Sequence, residues 1–125
     1  DLRDKADLLF LVALWGMADS DGRKLREEES IPQLVAAFGR ATAAIGASVV
    51  RQGALSAVIT NGREHGQRAA NMLLQSMRGV PVDQLPMTTN TRGRRMINVS
   101  TMKQLGIVPN PLVLRGAELV RSSQK

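Results

Sequence analysis

The chain of 125 residues has no cysteine and no tyrosine, and only one tryptophan, two phenylalanines and one histidine. Without cysteine there is no disulfide framework and no common thiolate zinc site, and the redox compartment stays open. A single histidine, with no paired carboxylate beside a suitable nucleophile, leaves little for acid-base or covalent catalysis, so the chain is expected not to be an enzyme. Long apolar runs are missing too. The longest, Leu8 to Ala18, is about half the roughly 18 to 20 residues that a membrane helix needs. Gly39, Gly46 and Gly53 have the wrong spacing for a phosphate-binding loop, and no Lys-Ser or Lys-Thr follows them. No cofactor and no metal site is expected. The opening residues Asp-Leu-Arg-Asp-Lys lack the basic start and apolar stretch of a signal peptide, so the chain reads as a piece of a longer protein.

What is present is a hydrophobic share of 43% and a net charge of +6. The first is enough to bury a core, and one compact unit is the default. The second invites a nucleic-acid reading, since clustered Lys and Arg release phosphate counterions. Arg92, Arg94 and Arg95 form the one dense group, however, and stacking aromatics are scarce, so a solvated basic surface is the preferred reading and a nucleic-acid partner is not expected. The acidic run Glu27-Glu28-Glu29 reads as a solvated face, because consecutive carboxylates do not converge on one cation.

Along the chain, Ala6 to Leu14 is an apolar run broken only by Asp7 near its start, the pattern of a central strand covered on both faces. Arg23 to Glu29 suggests a short exposed helix. Gln33 to Phe38, opened by Ile31-Pro32, suggests a second strand, with proline at its first position. Residues 41 to 50 are rich in Ala and Gly and show no clean period. Gly53 to Thr60 ends in Val-Ile-Thr and reads as a third strand. Asn61, with Glu64 three positions on, starts a helix with apolar Ala69, Ala70, Leu73, Leu74 and Met77 on one face, ended by Gly79 and Pro81. Two proline-containing extended segments follow. Then come a strand near Arg95 to Val99, a helix capped by Ser100, and a last helix from Asn110-Pro111 through Val120. Strands alternating with helices predict an α/β, Rossmann-like, three-layer fold with a mainly parallel sheet.

The stretch Gly53-Ala54-Leu55, then Gly62-Arg-Glu-His-Gly66-Gln-Arg-Ala-Ala70, then Gly79-Val-Pro81, resembles an ABC-transporter substrate-binding protein. The resemblance continues through Leu85-Pro86, Ile97-Asn98-Val99, Met102-Lys-Gln-Leu-Gly106-Ile107 and the closing Pro109 to Val120, so it spans residues 47 to 121. It is similar to the C-terminal half of a family whose better-known members resemble tryptophan or aromatic amino-acid receptors. The resemblance implies part of a type I periplasmic-binding-protein lobe pair, with strand-helix lobe elements in 1–80 and a crossover with C-terminal helices in 81–125. It also implies a small-molecule solute held in an inter-lobe cleft, a membrane permease as partner and an extracytoplasmic location. The departure from the family pattern is the long interval between Ile31-Pro32 and Gly53, through the Ala-rich segment.

In open α/β sheets ligands bind outside the carboxyl ends of the strands. Three loops qualify on this reading: Trp15 to Asp21, Phe38 to Thr42 and Thr60 to Gly62. The candidate ligand-binding residues are Trp15, which can stack on an apolar solute, Asp19 and Asp21, which can accept from an amino group, Phe38, Arg40, which can clamp a carboxylate, and Asn61. The plainer readings are that Trp15 covers the core, Asp19 and Asn61 cap helices, and Arg40 is solvated. His65 is an exposed helix residue on the same basis. Two other functions fit the same residues: a ligand-sensing domain of a signalling protein with this fold, or a basic nucleic-acid-binding domain. An exposed sheet edge would also support a homodimer.

Overall fold

The computed structural model describes residues 2–89 and 93–122. Five strands form one sheet in the order β1 (Leu8–Leu11), β2 (Ala41–Ala44), β3 (Ser56–Ile59), β4 (Arg94–Asn98), β5 (Glu118–Val120). Between them lie α1 (Glu27–Phe38), α2 (Ala47–Arg51), α3 (Gly62–Met77), α4 (Val99–Gln104) and α5 (Pro111–Leu114), with 3₁₀ turns at Leu2–Asp4 and Val82–Gln84. The chain divides into two compact units. One takes the chain up to Ile59 and from Arg95 onward, and the other runs from Thr60 to Arg94. The sheet, but for Arg94 at its margin, belongs to the first.

The α/β reading with a mainly parallel sheet holds. β1 pairs with β2 in parallel, with Leu8 opposite Ala41 and Leu11 opposite Ala44. β2 pairs with β3, and β4 with β5, in the same sense. Asn98, the last residue of β4, donates its N–H to Leu55 O at 2.8 Å, so the end of β4 sits at the edge where β3 starts.

One face of the sheet carries the core. Leu11, Ala44, Ala57 and Met96 are buried there with Val50 and Ala54, and Leu34 and Val35 of α1 and Ala47 and Val49 of α2 pack onto them. Alternation along each strand sends the neighbouring residues to the other face. There Phe10 is 57% and Val58 62% exposed. This corrects the expectation of a central first strand covered on both faces. β1 stands at one end of the strand order, and its four leucine and phenylalanine side chains divide between a packed and an open side.

The second strand is also relocated. Residues 33–38 are helical, in an α1 that runs unbroken through Pro32. Ile31, Leu34, Val35 and Phe38 follow the 3, 4, 7 spacing of a helix face, and Ile31 and Phe38 are buried. The three glutamates form the first turn, where the helix dipole favours negative charge. Gly39 stops the helix in a left-handed conformation (φ 66°), its N–H reaching Val35 O at 3.0 Å. The strand falls instead in the Ala-rich segment, where small side chains let helices lie close: Thr42 and Ala44 are buried, and Leu55 N donates to Thr42 O at 3.0 Å.

At the C-terminal side, α4 is capped by Asn98 rather than Ser100, with Oδ1 accepting from Ser100 N (3.0 Å) and Thr101 N (3.2 Å). The last helix ends after one turn. Gly116 (φ 74°) turns the chain, and Glu118 to Val120 become β5 beside β4, because backbone pairing with an open strand edge outweighs a weak helical pattern. In the second unit α3 starts at Asn61 as expected, with Asn61 Oδ1 accepting from Arg63 N at 3.0 Å. Its apolar face is open: Leu73 and Met77 are exposed.

Candidate functional site

Parallel pairing of β1, β2 and β3 brings their carboxyl ends to one edge of the sheet. In the first unit that edge is formed by residues 12–26, which lead from β1 into α1, and by Ile45-Gly46, which lead from β2 into α2. The two helix starts are joined: Ser48 Oγ, in the first turn of α2, donates to Glu27 Oε1, at the start of α1, at 3.3 Å. Below them Leu11, Val12, Ala13 and Leu14 close against Glu27, Ile31 and Val49 around a cavity of about 30 Å³. That is the space of a single water. The root of the loop is thus packed, with no room there for more than a water.

Residues 17–25 form a small hairpin. Leu25 N donates to Met17 O (2.8 Å), Asp19 N donates to Arg23 O (3.0 Å), and Ala18 bridges Lys24 in antiparallel sense. At the tip Asp19 Oδ1 accepts from Asp21 N (3.1 Å) and Arg23 N (2.9 Å), a turn closed by the side chain in the way aspartate favours. The Arg23 guanidinium spans two carboxylates. Its Nε donates to Asp19 Oδ2 at 3.0 Å, and its Nη1 to Glu29 Oε1 at 3.2 Å. Glu29 Oε2 in turn accepts from Arg26 N at 2.9 Å.

The Arg23 N–H, and then its guanidinium, hold the Asp19 carboxyl below its ordinary value. The Arg26 N–H, followed by the Arg23 guanidinium, does the same for Glu29. Arg23 is correspondingly raised, chiefly by Glu29 and then Asp19.

The candidate residues of the sequence separate in space. Trp15 lies on the carboxyl edge with its side chain 87% exposed, so it does not cover the core. Asp19 closes the hairpin rather than capping a helix, and Asp21 stands exposed at the tip. Phe38 and Arg40 lie at the amino ends of the strands. Phe38 is buried at the end of α1, and Arg40 pairs with Asp7, just before β1, at 3.0 Å. Their loop was placed at the carboxyl edge only because residues 33–38 read as a strand. Asn61 caps α3 in the second unit. Sequence reasoning missed Ile45, Gly46 and Ser48. Their signal was Gly46 between two runs of small residues, a loop-to-helix turn hidden in a segment with no period.

Of the basic cluster, Arg94 and Arg95 fall among the described residues, in β4. Arg92 lies outside the described residues, and adjacent Arg94 and Arg95 project to opposite sides of β4. Arg95 donates to Arg115 O at 2.6 Å and to Val113 O at 3.3 Å. Among the described residues no group of His, Asp or Glu could hold a metal ion, and no helix is long and apolar enough to cross a membrane.

A family model described as ABC transporter substrate binding protein matches residues 35–121. Among solved structures the chain is similar to an ABC domain in complex with L-Trp from Streptococcus pneumonia, at 18% identity and TM-score 0.60, covering 95% of this chain and 38% of that one. It is also similar to a ligand-free, open substrate binding protein with adhesive properties from Clostridium difficile, at 18% identity and TM-score 0.66, covering 98% and 38%. A conserved domain protein from Vibrio cholerae matches at 17% identity and TM-score 0.59, covering 94% and 38%. At these identities the likeness establishes the fold, and the chain spans 38% of the length of each. No curated protein sequence matches the chain.

Proposed function

Because the chain belongs to the ABC transporter substrate-binding protein family, we propose that it is part of the solute-binding component of an ABC-type uptake system. On this reading it forms the C-terminal part of a two-lobed receptor, works outside the cytoplasmic membrane and delivers its solute to a membrane permease. It binds and releases, and catalyses nothing. The observation that carries the proposal is the family match over residues 35–121. The open carboxyl edge, with an exposed tryptophan beside it, agrees with that reading.

The proposed ligand is an amino acid with an apolar or aromatic side chain. Trp15 offers a flat apolar surface on which such a side chain stacks. Asp21, exposed at the hairpin tip, can accept from an ammonium group, whereas the Asp19 carboxylate is already taken by its own hairpin. The turn from β2 into α2 supplies the second wall, with the Gly46 backbone and the Ser48 hydroxyl as polar contacts. One of the similar structures holds L-Trp, which supports the ligand class. Phe38 and Arg40 keep structural roles. Solute capture then follows the hinge closure of a two-lobed receptor, in which this edge is one jaw.

The test is the thermal unfolding midpoint of the full-length protein against L-tryptophan, L-phenylalanine, L-leucine, glucose and adenosine. A ligand at about a hundred times its dissociation constant adds roughly 2.7 kcal/mol. Shifts confined to the amino acids are the expected result. A shift with glucose or adenosine alone would replace the ligand class, and no shift with any of them would remove the receptor reading.

A further inference from the structure

We propose that Arg23 is the positioning residue of the binding edge: it pins the hairpin of residues 17–25 to the first turn of α1 and so fixes where Trp15 stands. The inference rests on the receptor reading above. Trp15, 87% exposed, is held in place by its backbone rather than by neighbours around its ring. Directly after it Gly16 adopts φ 77°, a conformation open to glycine in either direction. The position of the indole therefore depends on what anchors the chain on the far side of Gly16.

That anchor is the hairpin, and the polar tie between its tip and α1 is the Arg23 fork. Nε holds Asp19 within the hairpin, and Nη1 holds Glu29 on the helix, at 3.0 and 3.2 Å. Glu29 is itself fixed, since its other oxygen takes the Arg26 N–H. The same helix turn begins with Glu27, which accepts from Ser48 at the start of α2. Both loops of the binding edge are thus referred to one turn of one helix. A planar guanidinium can address two carboxylates at once in fixed directions, which a lysine ammonium cannot reproduce with the same geometry.

Arg23 is 61% exposed, so as an ion pair it adds little to stability. Its effect is to order the loop before the ligand arrives, which removes an ordering cost from binding. This separates a positioning role from a merely structural one. Arg23→Ala should leave the unfolding midpoint nearly unchanged while loosening the loop and weakening the ligand.

The experiment compares wild type, Arg23→Ala, Arg23→Lys and Lys24→Ala in the full-length protein. Lys24→Ala removes the same charge from the same hairpin without touching Asp19 or Glu29. Backbone order parameters of residues 15–22 are measured without ligand, and dissociation constants are measured by calorimetry for the amino acids named above. In Arg23→Ala the order parameters should fall from about 0.85 to below about 0.6. The affinity should fall about tenfold, or 1.4 kcal/mol. Arg23→Lys should lie between, and Lys24→Ala should match wild type. Unchanged order parameters in Arg23→Ala, or unchanged affinity in a wild type that binds, overturn the proposal and leave the receptor reading standing. A wild type that binds none of the amino acids removes that reading, and the positioning role with it.

Discussion

Asn98 Nδ2 donates to Val50 O at 2.7 Å, joining the end of β4 to α2 across 48 positions of sequence. The same amide nitrogen reaches Ser122 Oγ at 2.7 Å, and the carbonyl oxygen caps α4. With the side chain fully buried, each of these bonds is made where water cannot substitute.

Asn98→Leu should therefore cost much more than an average substitution. It leaves the Ser100 and Thr101 N–H groups without their cap and takes one of its hydrogen bonds from the Val50 carbonyl, and a buried polar group left unsatisfied costs about 1 to 3 kcal/mol. A loss of roughly 3 kcal/mol is expected, read as a fall of the thermal midpoint by about 10 °C or more. A fall of a degree or two would show that the network does not hold the end of β4.

Trp15→Ala should behave in the opposite way. The exposed indole contributes little packing, so stability should change by less than about 0.5 kcal/mol. Amino-acid affinity should fall about tenfold, on the scale of an aromatic stacking contact. Calorimetry on the same sample separates the two effects, and unchanged affinity would place the ligand elsewhere.

The hairpin should loosen in acid. Asp19 and Glu29 are both held below their ordinary values, so the folded state favours their charged forms. A depressed carboxyl contributes stability that is complete above its unfolded value, near 4, and is lost as pH falls through the folded value. The protection of the Arg23 and Leu25 amides against hydrogen exchange, taken relative to their intrinsic rates, is expected to be constant at neutral pH and to fall below about pH 4. Asp19→Asn with Glu29→Gln should abolish that dependence. If the double variant keeps it, another group is responsible.

The open face of the sheet should make the isolated chain of 125 residues self-associate. Phe10 and Val58 are more than half exposed on a face that parallel sheets ordinarily cover, and β1 offers backbone groups at the end of the strand order. Light scattering across concentrations should show a rising mass, reduced by Phe10→Glu with Val58→Glu. A clean monomer at every concentration would contradict the expectation.

Much of the fold was legible where the signal was local. Asn61 begins α3 because an asparagine oxygen can satisfy a helix N–H wherever the chain leads. The β-branched end of the third strand marks β3 for a similar reason. Pro32 misled because its usual place is the start of an element. Here it sits inside α1, and the helical spacing of Ile31, Leu34, Val35 and Phe38 was the better guide. Of the proposed ligand edge, Trp15 and Asp21 were among the candidates the sequence offered. The edge was illegible at Ile45 to Ser48, where alanine and glycine carry no period.

By itself the sequence determined the class of fold, the resemblance to a solute-binding family and the helix starts that side-chain oxygens fix locally. The tertiary structure alone decided which strand stands at the end of the sheet, that Glu118 to Val120 pair with β4, and that Arg23 reaches Glu29. The physical reason is range. A cap or a turn is settled within a few residues, whereas an apolar run reads the same at a covered centre as at an open edge until its neighbours are in place.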